Sequence, residues 1–562
     1  MKMLTNILLT IIISGVQMAH SNGIDYIAQH KLEKPSKLSF QPDGFYKGYL
    51  KNASDNWITQ FEKKNPRMME LLSTPEEAIN RRLVSWDGEY AGKLLVGAIE
   101  TSRLMDDPKL TQYIDGFIGR LKAVQADDGY IGIWPEKYRL SGDAMTADGP
   151  AGTADAWCHY YLMMGLMMWY EDTGDRRSSD MAVKIGDLMY DKYFGKPEVI
   201  AHHGDPRWNT SAAHGLLLLY RKTGDKRYLD LAKEIVDVVL PMSGLDYLNR
   251  ALKGKPFRDN PVPHGERWES FPGITAFTEL YWLTGDIKYA TAYKRIWREI
   301  TKGDKHNNGG VTSMEHIVNN PHDPRAIELC CTVAYMAMSV EMLRLTGDSK
   351  VADELELSTM NAGLAFWARS GKWMTYNTVM EGVIVPCAPW EPNCKENPGL
   401  YCCTAYAPRG LGILSEWALM TDKSGIIINW YGSGRYEANV AGRSISIVQE
   451  TDYPRTGSIK MRVSTSTPVD FTIRLRIPSW CENPRLMVNG KSIEVKPGRY
   501  AVVRRKWCDG DTLGLNLDMP LRFLDGKDEC TGRTSIYRGP VLLALPRKPI
   551  GETASFKPVI YT

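Results

Sequence analysis

Glu328-Leu329-Cys330 and Tyr401-Cys402-Cys403 place one carboxylate and three thiols in two tight clusters about seventy residues apart. A thiolate-rich set of four such ligands suits a zinc ion in tetrahedral coordination. Glu328 and Cys330 are two positions apart, which on a regular helix would point them in different directions. They converge only where the chain is irregular or just entering a helix. The sequence allows that, because Pro321 to Ile327 reads as loop and Thr332 to Leu345 as helix. Adjacent Cys402 and Cys403 meet the same constraint, with Pro408 and a helix-like Leu411 to Met420 following. Both clusters thus fall at helix entrances, where backbone N–H groups and the helix dipole stabilise thiolates. The competing readings are a disulfide or inert buried cysteines. Neighbouring cysteines bridge each other only with strain, and these spacings match neither an obvious disulfide framework nor a standard zinc finger. Spacing alone leaves zinc and those alternatives open.

The elements that must position these residues announce themselves through a repeat. Thr173-Gly174-Asp175, Thr223-Gly224-Asp225, Thr284-Gly285-Asp286 and Thr346-Gly347-Asp348 recur at intervals of roughly fifty to sixty residues, each between two helical patterns. Gly ends the first helix in the left-handed conformation and Asp caps the next. Helix pairs repeated at this period imply an α-helical toroid or solenoid, assigned to residues 36–422 after a lead segment, 22–35. Leu162-Met163-Met164 and Leu166-Met167-Met168 mark one of its helices as buried on most sides. After Gly425 the pattern becomes strand-like, as in Ile426-Ile427-Ile428 and Phe471 to Ile477, with Gly, Pro, Asn and Asp turns between. Residues 423–562 are therefore expected to form a β-sandwich of about 140 residues.

Lys2 followed by the apolar run Leu4 to Met18 and by Ala19-His20-Ser21 reads as a secretory signal peptide, 1–21, cleaved after Ser21. The alternative is a buried or frayed N-terminal helix. The expected location is secreted or periplasmic, and free thiols kept in such an oxidising place need a reason. No other stretch reads as long and apolar enough to span a bilayer, so no membrane insertion is expected after cleavage. The 562 residues carry a net charge of +3 with no basic stripe, which makes nucleic acid a poor partner. Among the 16 Trp and 28 Tyr, some flat faces would suit sugar rings, although most such residues belong to cores.

The stretch from Glu328 through Lys350-Val351-Ala352-Asp353-Glu354-Leu355-Glu356 to Asn361, then Tyr376 and Tyr401-Cys402-Cys403, resembles glycoside hydrolase family 127, the β-L-arabinofuranosidase group. Tyr537-Arg538-Gly539-Pro540-Val541-Leu542 continues the likeness. The resemblance implies an (α/α)6 barrel followed by a C-terminal β-sandwich. It also implies zinc on Glu328, Cys330, Cys402 and Cys403, with Cys402 as nucleophile in a two-step retaining hydrolysis. The acid/base glutamate of the family falls on Glu315, in Gly309-Gly310-Val311-Thr312-Ser313-Met314-Glu315, where the intervening loop is shorter than usual. Trp157 and His159 lie in a helical run whose counterpart lines the family's cleft, and Tyr376 matches a tyrosine near the sugar. Asn209, Trp268 and Glu269 fall where helix pairs begin, on the expected open face. The chain departs from the family at Asn209, where histidine is common, and at Thr404-Ala405-Tyr406, which replaces a Pro-Pro-Asn pattern. Those departures put the sugar in question.

Two substrates follow from the resemblance: a terminal β-L-arabinofuranose on plant glycans, or an acidic pectin sugar such as aceric acid, for which Arg207 or Arg267 would supply the cation. A non-catalytic glycan-binding protein on a hydrolase scaffold and an (α/α)6 lyase or uronyl hydrolase are the readings from other classes. The partner expected is a plant-derived oligosaccharide. Oligomeric state, the pairing of Cys387 with Cys394, and a role for Cys331 are not legible in the sequence.

Overall fold

The structure, a computed structural model, describes residues 24, 26–34, 39–202, 204–260, 265–312, 314–380, 384, 386, 399–440 and 442–544. The expected signal peptide, 1–21, and both Cys387 and Cys394 lie outside the described residues.

Six helices form a closed ring in chain order: Glu89–Ser102, Asp155–Thr173, Ala212–Thr223, Ser270–Thr284, Leu329–Thr346 and Cys402–Gly412, the last packing back on the first. Helices such as Pro108–Val124, Arg176–Tyr193 and Ile287–Gly303 lie outside it. Inner helices are buried on nearly every side, as the apolar residues all around Asp155–Thr173 require, whereas outer ones bury one stripe. This is the (α/α)6 barrel. Leu329–Thr346 is also long and apolar enough to cross a membrane by length and composition, which corrects the expectation that no such stretch exists. Its residues are apolar because the barrel surrounds it.

The repeated Thr-Gly-Asp turns are built alike. Gly174, Gly224, Gly285 and Gly347 take positive φ of 63–75°. Asp175, Asp225, Asp286 and Asp348 each accept from the backbone N–H two residues on, at 3.0 Å. The turns connect the C-terminal ends of inner helices to outer ones. The inner N-termini therefore all gather at the opposite end, where the Glu328 and Cys402 clusters sit. At the turn end, the lead segment runs across the barrel and its backbone N–H groups cap carbonyls left open by the helices: Ile24 to Arg221, Ile27 to Trp282 and Lys31 to Arg344, at 2.8–2.9 Å.

The last inner helix ends earlier than expected, at Gly412, and Leu411 to Met420 is not one helix. Leu419–Asp422 is a strand paired with Gly425–Ile428, so strand structure reaches back across the expected boundary at 422/423. The strand region contains a seven-stranded and a four-stranded sheet, the larger completed at one edge by Phe40–Pro42 from the N-terminal side. Ser458–Thr465 alternates buried and exposed residues, as a one-sided strand should. Val469–Ile477 is buried more continuously because its sheet also packs on the outer helix Ser349–Leu357. Leu521–Asp525, Thr534–Arg538 and Val541–Leu542 form a separate small sheet rather than more sandwich. It is tied to the barrel by Tyr537 and Asn361.

Candidate active site

Glu328 occupies a strand-to-helix junction. Ile327–Glu328 pairs with Asn377–Thr378, and the next residue opens the helix Leu329–Thr346. That break in direction lets Glu328 and Cys330 face one point. Cys402 and Cys403 are the first two residues of Cys402–Gly412, where Thr404 Oγ1 accepts from the Tyr401 backbone N–H at 2.9 Å. Pro408 lies inside that helix and cannot donate to the Thr404 carbonyl. Trp57 Nε1 donates to it instead, at 3.0 Å, so the helix continues.

The ligand atoms of Glu328, Cys330, Cys402 and Cys403 all lie within 4.8 Å of one another. Glu328 Oε1 is 3.1 Å from Cys403 Sγ and 3.8 Å from Cys402 Sγ; Cys403 Sγ is 3.3 Å from Cys330 Sγ and 3.8 Å from Cys402 Sγ. Tetrahedral zinc bonds of about 2.0 Å to oxygen and 2.3 Å to sulfur give edges of about 3.5–3.8 Å. The four groups therefore fit a metal ion with little movement. Among the described residues no cysteine is in a disulfide. Cys331, without a role in the sequence reading, donates from Sγ to Glu328 Oε2 at 3.2 Å. It thereby turns the other oxygen, Oε1, toward the sulfurs, an outer contact of the kind that orients metal ligands.

The three thiols differ electrically. Hydrogen bonds from the Cys330 and Cys403 thiols, helped by the Lys93 charge, hold Cys402 well below the ordinary thiol range against the effect of burial. Burial pushes Cys330 and Cys403 up. Cys402 is also the least buried of the set. The half-buried, charge-ready sulfur is thus the one suited to attack.

Glu315 arrives from a loop whose backbone is far from regular: Thr312, Met314 and Glu315 all have positive φ, 52–71°. Asp304 anchors its base by accepting from the Val318 and Asn319 N–H groups, both at 2.7 Å. Tyr376 hydroxyl donates to Glu315 Oε1 at 2.9 Å and stands 3.5 Å from Cys402 Sγ. Arg267 grips Glu315 Oε2 and also Glu269, the latter at 2.7 Å. Burial, against Arg267 and with the Glu269 and Cys402 charges, pushes the Glu315 carboxyl up to about 7. A carboxyl at that value can give and take a proton near neutral pH.

The remaining expected residues divide. Trp157 and Trp268 are buried, their rings 5.6 Å apart, and both face Lys93. They do not form an open sugar platform. His159 is a correction: Nδ1 lies 2.7 Å from the Asp155 carbonyl and Nε2 accepts from Ile131 N–H at 3.3 Å. Both ring nitrogens are committed to backbone, and burial lowers the imidazole to about 4. Asn209 is buried on the short helix Pro206–Asn209, over Gly204. Arg207 is bound to Asp205 and the Gly265 carbonyl, and Arg267 to two carboxylates, so both cations are already compensated. Lys93 and Glu89 were missed by sequence reasoning. Their signal was a Glu–Lys pair four apart at the start of a largely apolar helix.

Two family models match the chain: "Beta-L-arabinofuranosidase, GH127 catalytic domain" over residues 41–411, and the GH127 middle domain over residues 425–519. Among solved structures the chain is similar to a GH127 beta-arabinofuranosidase, with 23% identity, a TM-score of 0.76, and 91% of this chain and 85% of that one covered. It is similar at 23% identity and TM-score 0.71 to a GH127 beta-L-arabinofuranosidase from Geobacillus stearothermophilus T6, covering 90% of this chain and 86% of that one. A further structure, titled glycoside hydrolase, gives 22% identity, TM-score 0.72, and coverage of 93% and 85%. At these identities the likeness concerns the fold. No curated protein matches the sequence. The catalytic-domain model takes in most of the barrel, both clusters and the Glu315 loop, and the chain belongs to the GH127 β-L-arabinofuranosidase family of glycoside hydrolases.

Proposed function

We propose that this glycoside hydrolase is a retaining exo-enzyme that releases a terminal L-furanosyl sugar of the β-L-arabinofuranose type from plant cell-wall glycans. One observation carries the retaining mechanism, the sugar class being drawn from the family: a single phenol oxygen, that of Tyr376, touches both Glu315 Oε1 and Cys402 Sγ. Laid end to end, those two contacts fall short of the about 6.5–9.5 Å that an inverting pair needs to seat a water between acid and base. A retaining pair, about 5–5.5 Å apart, is what this spacing supports. Cys402 would attack the anomeric carbon while Glu315 protonates the departing oxygen. Glu315 would then take a proton from water, which displaces the sulfur and returns the sugar with its configuration kept.

Glu328, Cys330, Cys402 and Cys403 would hold zinc, as their three-sulfur, one-oxygen set favours. Bound there, zinc would keep the thiols deprotonated at neutral pH. The N-terminal sequence supports export, with the mature chain starting at Asn22 and acting outside the cytoplasm. The compensated state of Arg207 and Arg267 favours a neutral sugar over an acidic one.

The test is turnover of a chromogenic β-L-arabinofuranoside, with the product anomer followed by NMR and zinc counted per chain. Turnover with retention, lost in Cys402→Ala, is expected. Inverted product, or full activity in Cys402→Ala, would sink the mechanism.

A further inference from the structure

Lys93 is a fully buried ammonium packed against Tyr406, on the helix that opens with Cys402 and Cys403. Its Nζ sits 5.1–5.3 Å from the ring centroids of Trp157, Tyr161, Trp268 and Tyr406. Glu89, one turn earlier on the same helix, lies 2.8 Å from it, and the side chains of both are essentially unexposed. Glu89 is itself fixed by Trp157 Nε1. Four rings on three elements besides its own therefore converge on one cation, an arrangement in which each π face favours the charge.

The cage points to the metal cluster by construction. Tyr406 follows Cys402 by four residues and so shares its face of the helix Cys402–Gly412. The helix Glu89–Ser102 comes close enough to both neighbours to place Lys93 between them only because two positions lack a side chain. A Cβ on Gly92 would lie 2.6 Å from Leu162 N, and one on Gly97 2.6 Å from Arg409 N. Burial opposes the Lys93 charge, but Glu89 and the Cys330 and Cys402 sulfurs outweigh it and hold the ammonium above its ordinary range.

Three thiolates and a carboxylate exceed the charge of a divalent ion by two. A low-dielectric barrel interior must supply a cation nearby or weaken the site. We propose that caged Lys93 is the built-in counter-ion of the metal–thiolate cluster, a positioning residue that strengthens metal retention, with Glu89 tempering its charge. Tyr406 stands where the family pattern has asparagine, so this departure bears on the cluster's electrostatics as well as on the sugar.

The inference rests on the metal reading of the four ligands, and the experiment separates the two. Zinc retention against a competing chelator is measured for wild type, Lys93→Met, Glu89→Gln and the double variant Lys93→Met/Glu89→Gln, with melting temperature alongside. The double variant replaces both charges with neutral side chains of similar size and so guards against a folding failure. Lys93→Met and the double variant should retain zinc about 10- to 100-fold more weakly, the range for groups just outside a metal's ligands. Glu89→Gln should hold it as well or better. Unchanged zinc affinity in Lys93→Met overturns the proposal, as does equal weakening in Lys93→Met and Glu89→Gln, which would mark a packing effect. A wild type that takes up no zinc defeats the metal reading itself and overturns the proposal with it, an outcome distinct from a variant that leaves zinc retention unchanged.

Discussion

Glu315, Tyr376 and Cys402 form a chain in which each group sets the state of the next. Glu315 must be protonated to assist departure of the leaving group, so kcat/KM should fall as pH rises through its value of about 7. Glu315→Gln should lose about 10²–10⁴-fold in kcat/KM on substrates with poor leaving groups and flatten that alkaline limb. Tyr376→Phe removes a hydrogen bond that favours the Glu315 carboxylate, so the limb should move to higher pH, with kcat reduced about 10- to 100-fold. A pH–rate profile of each variant checks both signs. Cys331→Ala leaves Glu328 Oε2 without its thiol donor and should weaken zinc retention about 10- to 100-fold while Cys402 remains in place. Chelator competition reads this directly.

Element by element, the site depends on how helix entrances are made. The helix carrying Cys402 tolerates Pro408 because an indole from another element replaces the missing donor. Trp57→Phe keeps the buried ring and removes that donor, so it should cost about 1–3 kcal/mol by leaving the Thr404 carbonyl unsatisfied. Urea unfolding would measure it, and unchanged stability would show that the carbonyl finds another partner. The same view explains why Trp157 and His159 do not line an open cleft. Both lie in the first turns of a helix that is buried all round, where a polar ring must find partners within the core.

Taken whole, the molecule is joined by residues that have no part in the chemistry. Arg476, on a sandwich strand, reaches Asp353 at 2.6 Å and Glu356 at 2.5 Å on an outer barrel helix, with Tyr453 and Trp480 also on Glu356. Arg476→Met leaves Glu356 buried without its counter-charge and should destabilise the protein by about 3–5 kcal/mol. Calorimetry should show the sandwich and barrel losing their joint transition. The Lys350–Glu356 and Tyr537–Leu542 stretches that carried the family resemblance hold these layers together, since Asn361 also receives the Leu542 N–H and donates to the Pro540 carbonyl.

Local rules were enough for much of this. Four Thr-Gly-Asp turns follow from left-handed glycine and aspartate capping, so the helix-pair repeat is legible without any long-range contact. Likewise, two ligands spaced by one or two residues converge only where the chain is irregular or entering a helix, and Glu328, Cys330, Cys402 and Cys403 lie at helix entrances. What could not be read is anything set by a neighbour distant in the chain. The positive-φ loop that delivers Glu315, the phenol shared between Glu315 and Cys402, and the turning of Cys331 toward Glu328 each depend on one element stopping another in place. Trp157 and Trp268 have the composition of a sugar platform and the surroundings of a cation cage. Residue type supplies the flat face; only packing decides whether a sugar or Lys93 meets it.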